Sequence, residues 1–553
     1  MDHVRTPLPP RFAWFVGILA LIAFANAVDA GFVYDDTAFV TANQSVIGEA
    51  GIFTEPTPPQ RADLGLYRPV TVWTYWLQFT LHGLVPSWFH ALNVLLHVLV
   101  SVLVLRVAHR FGAAPVAALT AGVLFAVHPI HVEAVAWIVG RAELLTAAFA
   151  LAGVLLFGTP AQPGPMRGAS LAAVAYALAC LAKETALPLP AALFVLDVVR
   201  RDGAPWRRVF FRQIPLTFVC IGVCVTRVAV LGHFVPDPTL PDLAHVQQTA
   251  RGALILGVCG RWLKSLVWPV DSSIYYNPER FVDAAAQLLG LVAIAIGAFL
   301  GVVARRRRSR PLACGLALSA VAALPFLQLV PIGAVFGDRF VYLGSAGFLI
   351  AVAALLPLDS PSSGARRVTR TFVVIAVAGG LIATWLRNPA FRDEVALWQD
   401  AQTASPRDAH PHYVLGRLYF DRGQIEYQSS DLKGALFHLS ESLRIDAKHP
   451  WAGPAHITLG ECAAGKRGDP LQKHVDALTA AEHYRAAIPL LGEDPTDALL
   501  DLAALHGSDA VDAAEARVAL EAVLRIARDE RSITLARSIL AELDASAPPS
   551  GER

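Results

Sequence analysis

The sequence predicts an all-α fold: a polytopic membrane bundle of about eleven spans, followed by a helical solenoid. Three observations lead there. Of the 553 residues, 55% are hydrophobic and only 16% charged, with a mean hydropathy of +0.48, whereas a soluble domain has about a quarter of its residues charged. Apolar runs long enough for about 20 residues of membrane-crossing helix recur from the start of the chain. Beyond about residue 388 the pattern turns polar and takes on the helical periodicity of a soluble domain. Residues 1–387 are therefore expected to form the membrane domain, and residues 388–553 a separate helical one.

The expected spans are 12–29, 89–107, 113–128, 142–158, 169–183, 186–199, 214–231, 283–304, 311–330, 343–358 and 371–387. The first is read as a retained span, because no small-residue cleavage site follows it. A further apolar stretch, 251–270, carries Arg251, Arg261 and Lys264, and charges at the bilayer centre cost at least a few kcal/mol each. A helix lying in the interface suits it better. With that stretch flat, the basic loops at Arg106/Arg110, Arg207/Arg208, Arg305–Arg308 and Arg366/Arg367 all fall on the side of the N-terminus. The positive-inside rule makes that side cytoplasmic and the C-terminal domain extracytoplasmic. Basic charge comes from 40 arginines and only six lysines, the usage of a GC-rich bacterial genome, which makes the expected location a bacterial inner membrane. The net charge of +1 speaks against a nucleic-acid partner. The six cysteines follow no zinc or disulfide spacing.

In the C-terminal part, Leu415–Gly416 with Tyr419 fits the core of the tetratricopeptide pattern, and Leu459–Gly460 with Ala480, Tyr484 and Ala487 begins a second copy. The Leu-Gly pairs lie 44 residues apart, longer than the usual repeat of about 34. Two or three degenerate repeats closed by a hairpin near 510–545 are expected.

This topology brings polar residues of the membrane domain to its outer side. Asp35 and Asp36 follow the first span, and Arg68 closes the same loop. His128, His131 and Glu133 link the next spans, Arg141 and Glu143 enter another, Lys183–Glu184 joins two more, and Asp338–Arg339 another two. Ionisable groups at membrane depth are functional candidates. Neighbouring carboxylates repel, which suits one of Asp35 and Asp36 to proton abstraction. Arg339 has the planar fork that grips phosphate oxygens. His128, His131 and Glu133 have metal-ligand chemistry but no standard ligand spacing, so a structural turn is the simpler reading and no metal ligand is assigned.

Taken in order, Tyr34-Asp35-Asp36, Tyr67-Arg68-Pro69-Val70-Thr71, Phe89-His90-x-x-Asn93-x-x-x-His97, His128-Pro129-Ile130-His131-Val132-Glu133, Gly140-Arg141-Ala142-Glu143, Lys183-Glu184-Thr185, Leu329-x-Pro331-Ile332-Gly333 and Asp338-Arg339-x-x-Tyr342 resemble the transmembrane-and-tetratricopeptide-repeat protein O-mannosyltransferases. The repeats are fewer and less regular than in that family's animal members, and Gly337-Asp338-Arg339 stands where the family has an Ala-Glu-Arg-like triplet. The resemblance implies a GT-C fold and a polyprenyl-phosphate sugar as donor, mannose foremost. It also implies a protein or glycan acceptor and an acidic base in the first outer loop. On that basis Asp35, Asp36 and Glu143 are the catalytic candidates, with Asp35 as base and Asp36 as its positioning partner. Arg339, Arg68, Arg141 and Lys183 are the donor-phosphate candidates, and His128, His131, Glu133, Glu184 and Asp338 support them. No cofactor is required, although a divalent metal is compatible with these residue types. The repeat domain would offer a surface for a protein partner. A membrane-anchored scaffold and a transporter relay through Asp35, Glu143 and Glu184 are the other readings, and no internal two-fold repeat favours the transporter.

Overall fold

The computed structural model describes residues 7–48, 50–162, 164–233, 251–329, 334–426, 429–464, 477–492, 494–506, 508 and 510–546. Residues 331–333 of the Pro-Ile-Gly motif lie outside the described residues. The chain divides into two compact units, Met1–Leu397 and Trp398–Arg553. Among the described residues both are helical, apart from one isolated bridge between His506 and Val511.

Among the described residues of the first unit, eight helices are long and apolar enough to cross a membrane: Pro10–Asp29, Pro86–Arg110, Ile138–Phe157, Pro165–Ala182, Trp206–Leu231, Ala284–Arg306, Asp338–Leu355 and Ser363–Phe391. A ninth arises if Pro115–Ala126 and Pro129–Ala136, bent by 48° at Val127–His128, count as one span. The chain is a multi-pass membrane protein. The expected spans at 186–199 and 311–330 appear as shorter helices. Leu189–Val199 has 11 residues, about 16 Å at 1.5 Å each, and Arg310–Ala323 has 14 before a short 3₁₀ turn. Hydropathy marks both as apolar, but Pro188 and Pro190 start the first helix only at 189, and Pro325 stands where the regular part of the second has ended. The stretch at 251–270 forms a 17-residue helix, Arg251–Val267, outside the membrane-crossing set.

Proline opens many of these helices, at Pro10, Pro69, Pro86, Pro115 and Pro165. There its fixed φ is already helical and its missing N–H has no partner to lose. Burial then sorts the helices into layers. Ile138–Phe157 is 83% buried at the centre, packed between Pro86–Arg110 and Pro165–Ala182. Ala284–Arg306 and Ser363–Phe391 are 6% buried and turn apolar side chains such as Leu288, Phe299, Phe372 and Ile375 outward. A helix that is apolar all round belongs in lipid. Arg251–Val267 lies against Ala284–Arg306 with backbones nearly touching: a Cβ on Gly290 would stand 2.0 Å from the carbonyl oxygen of Leu256, so only glycine fits.

In the second unit successive helices pack as neighbours: Ala409–Glu426 on Ser429–Ile445, Ala452–Ala464 on Ala477–Ala487, and Thr496–Ala503 on Ala513–Ile526, which meets Glu530–Ser546. The glycines of both Leu-Gly pairs sit where the partner helix leans closest. A Cβ on Gly416 would meet Leu439 at 2.5 Å, and one on Gly460 would meet Tyr484 at 2.5 Å. Two histidine pairs repeat with the same spacing. His412 faces His438 with Nδ1 atoms 3.1 Å apart, and His456 faces His483 at 3.0 Å.

Candidate functional site

The loop after the first helix is held from several sides. Gly31 N–H donates to the Arg392 carbonyl (2.9 Å), Tyr34 N–H donates to Glu394 (3.0 Å), and His90 Nε2 donates to the Gly31 carbonyl (3.1 Å). Tyr34 itself adopts a left-handed backbone, φ 54°, a conformation that costs a non-glycine residue about 1–2 kcal/mol. The two carboxylates that follow have different surroundings. Asp36 is fully buried, and its oxygens accept the N–H groups of Val33 and Val139, each at 3.0 Å. It therefore ties the loop after the first helix to the entrance of the central helix. Burial raises its carboxyl well above the ordinary range, outweighing those two N–H groups. Asp35 is half-buried, lies beside Asp36 and is within electrostatic reach of Arg339.

Three cation–carboxylate pairs gather around this loop. Arg339, opening the helix Asp338–Leu355, pairs with Glu133, whose other oxygen takes the Arg339 N–H at 3.0 Å. The Arg339 guanidinium lies over the rings of Trp137 (4.9 Å) and Phe340 (4.7 Å). Lys183 pairs with Glu143 and lies 5.3 Å from the centre of the Phe340 ring. Arg68 grips Glu184 through two parallel bonds, Nε at 3.0 Å and Nη2 at 2.6 Å. Burial opposes the charge on Glu184, but Arg68, Arg227 and Lys183 together hold its pKa well below the usual carboxylate range. The pairs are also within reach of one another: Arg68 feels Glu143, and Lys183 feels Arg68 and Arg339. The structure thus brings Asp35, Glu133, Glu143, Lys183, Glu184, Arg68 and Arg339 into one network.

The remaining candidates stand apart from it in environment. Arg141 is completely buried and spends its guanidinium on Asn93 (2.9 Å), the Phe89 carbonyl (2.9 Å) and Thr74 (3.3 Å), above the Tyr75 ring. It fastens the central helix to Pro86–Arg110. His131 donates from Nδ1 to the Phe125 carbonyl (2.9 Å), and its Nε2 meets Ser345 (2.8 Å). His128 donates from Nε2 to the Leu266 carbonyl at 3.1 Å. His97 accepts from Tyr342 at 2.8 Å and donates to the Ala126 carbonyl. Both nitrogens of His97 and His131 are spent on the fold, and Glu133 is spent on Arg339. Among the described residues no group of three or more histidines, cysteines or carboxylates is arranged to hold a metal ion. Asp338 is buried and accepts the Tyr276 hydroxyl at 2.7 Å.

Sequence reasoning passed over Arg227, Trp137 and Tyr276, and marked Arg261 only as a charge on the stretch 251–270. Arg227 lies at the end of a long apolar helix and donates to the Gly65 carbonyl beside Arg68 and Glu184. An arginine inside an otherwise apolar span was its available signal. Trp137 sits in an apolar run where nothing marks it.

Fold and site together define a multi-pass helical membrane protein with an acid-and-cation network around the loop that follows its first helix. No protein-family model matches the chain. Among curated proteins it is 27% identical to protein O-mannosyl-transferase TMTC4 of Homo sapiens, over 76% of this chain and 66% of that protein. It is 26% identical to protein O-mannosyl-transferase TMTC3 of Homo sapiens, over 71% of this chain and 47% of that protein. The chain is thus similar over most of its length to the protein O-mannosyl-transferases, as the ordered motifs implied, and it spans just under two thirds of the TMTC4 relative. A solved structure, ArnT from Cupriavidus metallidurans bound to undecaprenyl phosphate, aligns over 82% of this chain and 78% of that one, at 17% identity and a TM-score of 0.40. That score is too low to equate the two folds.

Proposed function

We propose that the chain transfers a sugar, mannose foremost, from a polyprenyl-phosphate donor to a hydroxyl of a protein or glycan acceptor. The reaction would take place on the extracytoplasmic side of a bacterial inner membrane, with the N-terminus cytoplasmic and residues 388–553 outside as a tetratricopeptide-like domain that engages the acceptor or a protein partner. The observation that carries the reading is the single network of Arg339, Lys183 and Arg68, in which Arg339 reaches the half-buried Asp35, in a chain whose relatives are named O-mannosyl-transferases.

In this reading Asp35 takes the proton of the acceptor hydroxyl. The hydroxyl oxygen bonds to the anomeric carbon from the face opposite the phosphate, and the carbon–oxygen bond to the lipid phosphate breaks with its electron pair leaving on phosphate. The anomeric configuration inverts. Charge that grows on the leaving phosphate is met by Arg339, with Lys183 and Arg68 behind it, and fixed cations in a site shielded from water act with little reorganisation. Glu133, Glu143 and Glu184 hold those cations in place before the donor arrives. Asp36 positions the loop, and Arg141, fully enclosed, props the helix instead of touching donor.

Asp35→Asn tests this directly. A general base contributes about 10²–10⁴-fold, so transfer from labelled polyprenyl-phosphate mannose in membranes should fall by that factor while the purified variant melts like wild type. An unchanged rate removes Asp35 as base. Asp36→Asn is expected to act through the fold, because an amide accepts from one of the two N–H groups and opposes the other with its own donors.

A further inference from the structure

The helix Arg251–Val267 reaches the site through one chain of contacts. Arg261, on this helix, donates to the Asp271 side chain (3.0 Å), to the Asp271 carbonyl (2.9 Å) and to the Tyr276 hydroxyl (2.7 Å). Its guanidinium lies over the Tyr276 ring at 4.7 Å. The Tyr276 hydroxyl also accepts the Ser273 N–H (3.0 Å) and donates its own proton to Asp338 at 2.7 Å. Burial beside Asp338 raises the Tyr276 pKa well above its ordinary value, which keeps it a donor. Asp338 is 1% exposed and precedes Arg339 in the turn Asp338–Val341. Adjacent side chains diverge in such a turn, so Asp338 grips the Tyr276 loop while Arg339 grips Glu133. Phe336, two residues before, packs edge-on to Tyr276 at 5.2 Å between ring centres.

Two consecutive residues are thus fixed to opposite partners, and the position of Arg339 depends on the loop 268–277. Moving Arg251–Val267 along the membrane surface would drag Tyr276, then Asp338, then the guanidinium beside them. We propose that Arg261, Tyr276 and Asp338 form a positioning relay that sets Arg339 for a lipid phosphate and couples the site to the helix Arg251–Val267. The proposal rests on the reading of Arg339 as the donor-phosphate ligand. None of the three touches reacting atoms; they act through Arg339.

The test uses the full chain in lipid nanodiscs with undecaprenyl phosphate as probe. Tyr276→Phe keeps the ring against Phe336 and removes only the hydroxyl. It should weaken probe binding roughly fivefold to tenfold, the effect of one lost hydrogen bond, with the melting temperature of the unliganded protein unchanged. In a labelled-donor assay the donor KM should rise by the same factor while kcat holds. Asp338→Ala should match or exceed it, and Asp338→Asn, which keeps an oxygen for Tyr276, should recover most of the binding. Hydrogen exchange over residues 334–345 supplies a reading that needs no ligand: the Arg339 N–H, bound to Glu133, should exchange faster in Tyr276→Phe. Unchanged exchange there overturns the relay, even if wild type ignores the probe and the donor reading fails instead. Wild-type probe affinity in Tyr276→Phe overturns it too, as does an Asp338→Asn as defective as Asp338→Ala.

Discussion

Two arginine–aspartate or arginine–glutamate arrangements in the membrane unit look alike in sequence and differ in what they can do. Arg212 and Asp197 are 1% and 0% exposed, joined at 2.7 Å, and Arg212 gives its other N–H groups to the carbonyls of Pro165 (2.8 Å) and Phe157. Its guanidinium lies 4.0 Å over the Phe157 ring. In the network that includes Asp35, Arg339 is 18% exposed over a Glu133 that is 1% exposed, and Arg68 is 12% exposed against a Glu184 at 25%. The first pair is sealed on every side and serves as a clamp between helices. The second set presents the edges of its cations, so an incoming anion can share them without unfolding anything. On the proposed function, exposure of the cation, more than the presence of a partner, separates a structural ion pair from one that can take the donor phosphate.

Breaking the sealed pair should have the largest effect. Arg212→Ala strands a buried Asp197 and two carbonyls, and removing one partner of a buried pair costs about 3–5 kcal/mol. Loss of detergent-stable protein is expected, read by size-exclusion chromatography. A stable, monodisperse Arg212→Ala would erase the distinction drawn above.

Arg339→Lys, which keeps a cation beside the buried Glu133, should instead leave folding intact and weaken donor use by about 1.5–3 kcal/mol, the range for a hydrogen bond to a charged group. Donor KM against melting temperature checks this, and a variant that melts early with normal KM would move Arg339 into the structural class. Arg68→Lys tests a smaller effect. Lysine keeps the charge and loses the parallel grip on Glu184, so a loss on the order of 1 kcal/mol in donor affinity is expected. Equal affinity would make Arg68 a point charge only.

The smallest effect concerns acidity and contrasts the membrane unit with the second one. The pair His412–His438 shares one proton between two Nδ1 atoms, with Glu441, Arg444 and Asp408 nearby. His456 and His483 repeat the arrangement with Glu482 beside them. Burial and the neighbouring imidazole lower His438 from 6.5 to about 4, and burial lowers His412, His456 and His483 as well. The unfolded chain then binds more protons than the folded one below pH 6.5, so stability is complete above that pH and is lost as pH falls toward 4. Hydrogen exchange of segments 409–445 and 452–487, corrected for intrinsic rates, should show protection falling over that window. His412→Gln should flatten the dependence in the first segment alone; an unaltered slope would show that the pair does not carry it.

The sequence by itself determined the class of fold, most of the membrane-crossing helices, the change of character near residue 388 and which loops carry charge. These follow from hydropathy and spacing, which are properties of consecutive residues. It also supplied Arg339, Lys183 and Asp35 as candidates, because charge is costly at membrane depth and is therefore conspicuous there. Only the tertiary structure decided which charge faces which. Arg141 and Arg339 read alike in sequence, yet one is walled in by Asn93, Phe89 and Tyr75 while the other lies between Glu133 and Trp137. Asp35 and Asp36 are neighbours in sequence, yet Asp36 is fully buried and accepts the N–H of Val139, 103 residues on, as well as that of nearby Val33, while Asp35 is half-buried. The partners lie far apart in the chain: Arg339 is 206 residues from Glu133, and Tyr34 is 360 from Glu394. Burial and pairing arise from packing across such separations, and hydropathy, summed over a local window, holds no record of it.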